Sequence, residues 1–120
     1  MKSHKDLKKE YKNKKFKMGV FQIKNKINFK IFIGSSLNLD AIWNRHKTQL
    51  KFGMHANKEL QADWKQYGED NFSYEILAEL KDEPDNNTDT NKEVKLLEQF
   101  YIDELEPFGD RGYNKRPVNK

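Results

Sequence analysis

From Met18 onward the apolar positions fall into short, distinct periods. Gly19-Val20-Phe21-Gln22-Ile23 alternates around Phe21 and Ile23, the period of a strand. Asn25 to Asn28 carries turn chemistry, and Lys30 to Ile33 is a second apolar run, so a hairpin is predicted. Gly34-Ser35-Ser36 then predicts a break in the chain. Asn38 suits the N-cap of a helix whose apolar side is Leu39, Ile42, Trp43, His46 and Leu50, with Gly53 at its close. A second helix is expected from Asn57 to Tyr67, with Leu60, Trp64 and Tyr67 on one face and Gly68 at its end. Phe72, Tyr74, Ile76 and Leu80 alternate with polar residues and predict a third strand. Lys81 to Asn91 has Pro84 and no large apolar side chain, so a mobile loop is expected. Lys92 to Leu105 predicts a third helix with Val94, Leu97, Tyr101 and Leu105 along one side, and the chain from Pro107 onward is irregular. The expected fold class is α+β: a small three-stranded antiparallel sheet flanked by helices, in the order β-β-α-α-β-α.

Composition narrows this picture. A chain of 120 residues has room for one core. With hydrophobic and charged residues at 35% each, that core must be lean. Eight Phe, five Tyr and two Trp compensate, because each buried ring removes a large apolar area from water. No apolar run approaches the roughly 18 residues of a membrane span. The lysine-rich start has no apolar stretch behind it of the kind a signal peptide needs, so a cytoplasmic protein is expected. The absence of cysteine excludes disulfides, thiolate metal sites and cysteine nucleophiles.

Charge divides the chain unevenly. Met1 to Lys17 holds eight lysines against Asp6 and Glu10, a net of +6, whereas the rest is near neutral at −2. A basic arm over residues 1–17, disordered when free, is therefore expected ahead of a domain over 18–120. Lys8, Lys9, Lys12, Lys14 and Lys15 suit either an electrostatic arm for a phosphate backbone or a solubilising leader.

A longer ordered series spans residues 18 to about 117. It runs through Gly19-Val20-Phe21, a turn, Phe32-Ile33-Gly34-Ser35-Ser36, and a helix carrying Trp43 and His46. Gly53, His55, Asn57-Lys58-Glu59-Leu60-Gln61, Trp64 and Tyr67-Gly68 follow. The strand Phe72 to Leu77, then Leu97-Glu98-Gln99-Phe100-Tyr101 and Gly112-Tyr113-Asn114 close the series. This series resembles the GIY-YIG endonucleases, and within them the phage and intron homing branch. The resemblance implies a site in which a glutamate on the last helix holds one divalent cation (Mg or Mn). It also implies a tyrosine that orients or deprotonates water, an arginine that stabilises the charged phosphorane, and a supporting histidine and asparagine. Phosphodiester hydrolysis needs such parts: an activated water, stabilised charge and a polarised leaving oxygen.

By the same resemblance Glu98 falls at the metal position, and His46, His55 and Asn114 fall at supporting positions. Taken alone, Glu98 reads as an ordinary surface glutamate and His46 as a histidine on an apolar helix face. Phe21 and Phe32 replace the two motif tyrosines, and Ile42 replaces the arginine. Each phenylalanine keeps the ring and deletes the hydroxyl. A positioned general base contributes about 10²–10⁴ in rate and a phosphate-clamping arginine about 10³–10⁵. Arg45, Lys24, Lys30 and Tyr113 are the residues placed to compensate.

Three readings follow. The domain binds nucleic acid, DNA first, with hydrolysis lost or strongly weakened; it is an active metal-dependent DNA endonuclease with a modified site; or it is a protein-interaction module on the same fold.

Overall fold

The computed structural model describes residues 16–80 and 90–116. The lysines of the basic arm named above and most of the loop expected after Leu80 lie outside them.

Strand β1 (Met18–Asn25) is central, with β2 (Ile31–Ser36) on one side and β3 (Phe72–Leu80) on the other, both antiparallel to it. Helices α1 (Leu39–Lys51) and α2 (Lys58–Tyr67) lie between β2 and β3 in the chain, and α3 (Thr90–Leu105) follows β3. The expected fold class and element order are those observed. The N-caps of α1 and α2 are asparagines: Asn38 Oδ1 accepts from the Ala41 amide at 3.2 Å and Asn57 Oδ1 from the Leu60 amide at 3.0 Å.

Residues paired across an antiparallel sheet share a face. Phe21 pairs with Gly34 and Ile76, and Ile23 with Phe32 and Tyr74, so these side chains point to one side. There Phe21 and Ile23 meet Leu39, Leu50, Leu60, Trp64, Phe72 and Tyr113 in the main core, with Phe32 and Tyr74 packed against it. Trp43 closes this core by stacking on Tyr74, with ring centroids 5.4 Å apart and planes within 9°. The other face carries Val20, Ser35 and Ile33, and α3 packs over β1 and β2.

Three expectations need correction. Gly34-Ser35-Ser36 does not end the second strand, because all three residues still pair with β1. The third helix begins at Thr90, so Thr90 and Asn91 belong to it and not to the loop. The alternation of the third strand fails after Ile76. Val20 pairs with Ala78 but Phe21 with Ile76, leaving Leu77 as an extra residue. This bulge puts Leu80, opposite Met18, on the face of Val20 instead of the face of Phe21.

The irregular tail is not loose. Gly112 bridges Ile31 in parallel, and the Tyr113 amide donates to the Ile31 carbonyl at 2.8 Å. The tail thereby covers the outer edge of β2, which would otherwise expose unpaired backbone.

Candidate active site

His46 sits in the third turn of α1, and His55 in the link between α1 and α2. The Asn57 cap and a glutamine hold that link in place. The His55 amide donates to Gln61 Oε1 at 3.0 Å, and Gln61 Nε2 donates to the Leu50 carbonyl at 2.9 Å. The rings consequently meet, with His46 Nδ1 2.7 Å from His55 Nε2. The Phe32 ring stands against both, with centroids 5.8 Å from His46 and 5.9 Å from His55. Phe21 is packed beneath, 5.5 Å from the His46 ring.

A cleft of about 350 Å³ opens over this group, lined by Phe32, His46, Gln49, His55, Asn57, Asn114 and Lys115 among others. Burial, together with the neighbouring His55 and Arg45, pushes His46 down to about 4. Burial also lowers His55. Both imidazoles are therefore neutral near pH 7.

Asn114 reaches the cleft but spends its amide on the sheet. Its Oδ1 accepts from the Ile33 amide at 2.8 Å, and its Nδ2 donates to the Ile33 carbonyl at 2.9 Å. The tail is latched to the edge of β2 by this pair of bonds. Asn57 Nδ2 adds a further tie to the Tyr113 carbonyl at 2.7 Å.

Glu98 arrives from the other face. Ser35 Oγ donates a short hydrogen bond to its Oε1, and Lys95 Nζ lies 3.6 Å from the same oxygen. It meets β2 next to Gly34, but no hydrogen bond joins it to the histidine pair. Among the described residues no group of three or more His, Cys, Asp or Glu is placed to share a metal ion. A hard cation here would have Glu98, with Ser35 Oγ beside it, and would draw the rest of its six or more oxygens from water and a bound phosphate. That set fits one weakly held divalent ion.

Three of the four compensating candidates, Lys30, Lys24 and Tyr113, are engaged elsewhere. Lys30 Nζ pairs with Glu59 at 2.6 Å, and Lys24 lies over the Phe29 ring at the hairpin tip. Tyr113 is buried; its hydroxyl donates to Asp63 at 2.7 Å and accepts from Asn25 at 3.0 Å, and burial raises its pKa far above the usual phenol value. Tyr74 stands 5.5 Å from Phe21, but its hydroxyl donates to the Leu39 carbonyl at 2.6 Å and its pKa is pushed up to about 12 by burial. Arg45 is exposed on α1, and Ile42 packs against the main core.

The GIY-YIG catalytic domain matches residues 17–114. The chain belongs to the GIY-YIG family. It is 34% identical over 89 residues to Intron-associated endonuclease 1 of Enterobacteria phage T4, covering 74% of this chain and 33% of that protein. The chain thus spans about a third of the length of that relative. Two solved structures of the catalytic domain of the homing endonuclease I-TevI, one of a point mutant, superpose with a TM-score of 0.69 at 31% identity. They cover 82% and 83% of this chain and 93% and 99% of their own. This is a GIY-YIG nuclease domain related to a homing endonuclease, and no helix among its described residues is long and apolar enough to cross a membrane.

Reading the sequence selected His46, His55 and Asn114 at the cleft but missed Gln49, Asn57 and Lys115. Gln49 lies three residues after His46 on α1, one turn along the same face, so helical spacing could have found it. Asn57 was visible in the sequence only as a helix start and Lys115 had no comparable signal, since the fold of the link and of the tail brings both to the cleft.

Proposed function

We propose that this GIY-YIG domain binds DNA through its cleft and its lysine arm, and that it hydrolyses DNA very slowly or not at all. The observation that carries this reading is Phe32. It stands against both histidines at the motif position, with a hydrocarbon edge where a tyrosine would present a hydroxyl. Phe21 and Ile42 extend the same change, because both are packed into the core and offer no donor or acceptor. The tyrosines at Tyr74 and Tyr113 are tied to other partners and lie high in pKa, so neither supplies a base near neutral pH.

Binding can persist without the lost groups. Lys115, Gln49 and His46 border the cleft with polar hydrogens suited to phosphate oxygens, and a cation at Glu98 would neutralise further charge when bound. The arm residues Lys8, Lys9, Lys12, Lys14 and Lys15 supply sequence-independent attraction. One observation favours the active alternative: Ser35 holds the Glu98 carboxylate on β2 beside the Phe21–Gly34 pair, which an abandoned metal position has no need to keep.

Anisotropy of a labelled DNA duplex across a salt series tests the reading. Affinity should fall steeply as salt rises. No binding even at low salt would instead favour a protein-interaction module.

A further inference from the structure

The hydrogen bonds around the histidine pair have only one self-consistent direction. The Asn57 main-chain amide, which can only donate, lies 3.0 Å from His55 Nδ1. His55 Nδ1 is therefore the acceptor nitrogen, and in the neutral ring the proton sits on Nε2. His55 Nε2 faces His46 Nδ1 at 2.7 Å, so it donates there and His46 Nδ1 accepts. The proton of neutral His46 is thereby forced onto its Nε2. That nitrogen has no partner among the described residues. Among the described residues no fully buried side-chain nitrogen or oxygen lacks a partner, so His46 Nε2 is open, and His46 lines the cleft.

We infer that His46 presents a fixed N–H donor to the cleft, and that the Asn57 main-chain amide, acting through His55, is the positioning group that fixes it. The inference rests on the proposed DNA-binding reading only for what the donor meets, namely a phosphate oxygen; the direction of the relay stands apart from it. A reversed relay would put a proton on His55 Nδ1, where it would point at the Asn57 N–H and break that bond. The loss of this partly buried hydrogen bond favours the forward direction by up to about tenfold. A nitrogen held as a donor cannot take a proton from water, so His46 does not replace the missing tyrosine as a base. It serves instead to hold an anionic oxygen, beside Lys115 and Gln49.

The test is a long-range proton–nitrogen correlation spectrum of the ¹⁵N-labelled full chain near pH 7, without DNA. The expected pattern is protonated Nε2 and bare Nδ1 on both His46 and His55. Bare Nε2 on His46, or averaging between two forms, would overturn the inference. His55→Gln keeps a side-chain amide able to donate to His46 and should retain the His46 pattern. His55→Leu removes that donor and should shift His46 toward the averaged pattern; an unchanged pattern would show that the relay is not what fixes it. A short DNA duplex is then added. A shift at His46 Nε2 supports the phosphate contact. No shift while the duplex is bound overturns the phosphate contact, and failure of the duplex to bind counts against the DNA-binding reading; an intact tautomer leaves the relay standing in both cases.

Discussion

The Phe21 ring points at Gly34, with its Cζ 2.6 Å from where a β-carbon on residue 34 would stand. The glycine and the aromatic, paired across β1 and β2, are one packing unit. Gly34→Ala must then displace a ring that is 1% exposed. Overpacking of this kind costs about 1–3 kcal/mol. Urea denaturation should show a lower midpoint at unchanged slope, and an unchanged midpoint would show that the ring yields freely.

Asn114→Ala should destabilise the domain by about 1–3 kcal/mol, because it leaves the Ile33 amide and carbonyl without partners on the sheet edge. Hydrogen exchange at Ile33 reads this directly. Faster exchange there, with little change at Ile23 in the sheet centre, is expected. Unaltered protection at Ile33 would assign the edge cover to the rest of the tail.

Stability should fall with acidification through the histidine pair. His46 has its folded pKa lowered to about 4 from 6.5, so the unfolded chain binds more protons between those values. The contribution is fully present above about 6.5 and is lost as pH falls toward 4. His46→Phe should therefore lose less stability than wild type between pH 7 and pH 4. Parallel losses in the two proteins would mean that His46 titrates normally.

Much of this fold was legible because its signals are local. Asn38 and Asn57 announce helix starts through their own side chains, and Phe21 and Ile23 mark the face of β1 by alternation. The bulge at Leu77 was not legible, since a one-residue register shift depends on the pairing of two strands distant in sequence. Of the candidate site residues, His46, His55 and Asn114 border one cleft, whereas Glu98 does not. Spacing and resemblance selected His46, His55, Asn114 and Glu98. They gave no hint that the two histidines bond each other, that Asn114 latches the tail, or that Glu98 rests on Ser35. Such contacts arise from tertiary packing.

Deleting residues 1–17 should weaken DNA binding and flatten its salt dependence. Every phosphate that the shortened chain no longer neutralises lowers the slope of log affinity against log salt by about 0.9. The slopes of full-length and truncated chains decide this. Equal affinity at every salt concentration would assign the binding to the folded domain alone.

Loss of hydrolysis is tested most directly by plasmid nicking with the full chain in Mg²⁺ and Mn²⁺, run beside Glu98→Ala and the triple variant Phe21→Tyr, Phe32→Tyr, Ile42→Arg. No nicking above background is expected from wild type or from Glu98→Ala. Measurable nicking is expected from the folded triple variant, which regains the two hydroxyls and the cation. Nicking by wild type that disappears in Glu98→Ala would contradict the loss, since the domain would then be a working nuclease with a rebuilt site.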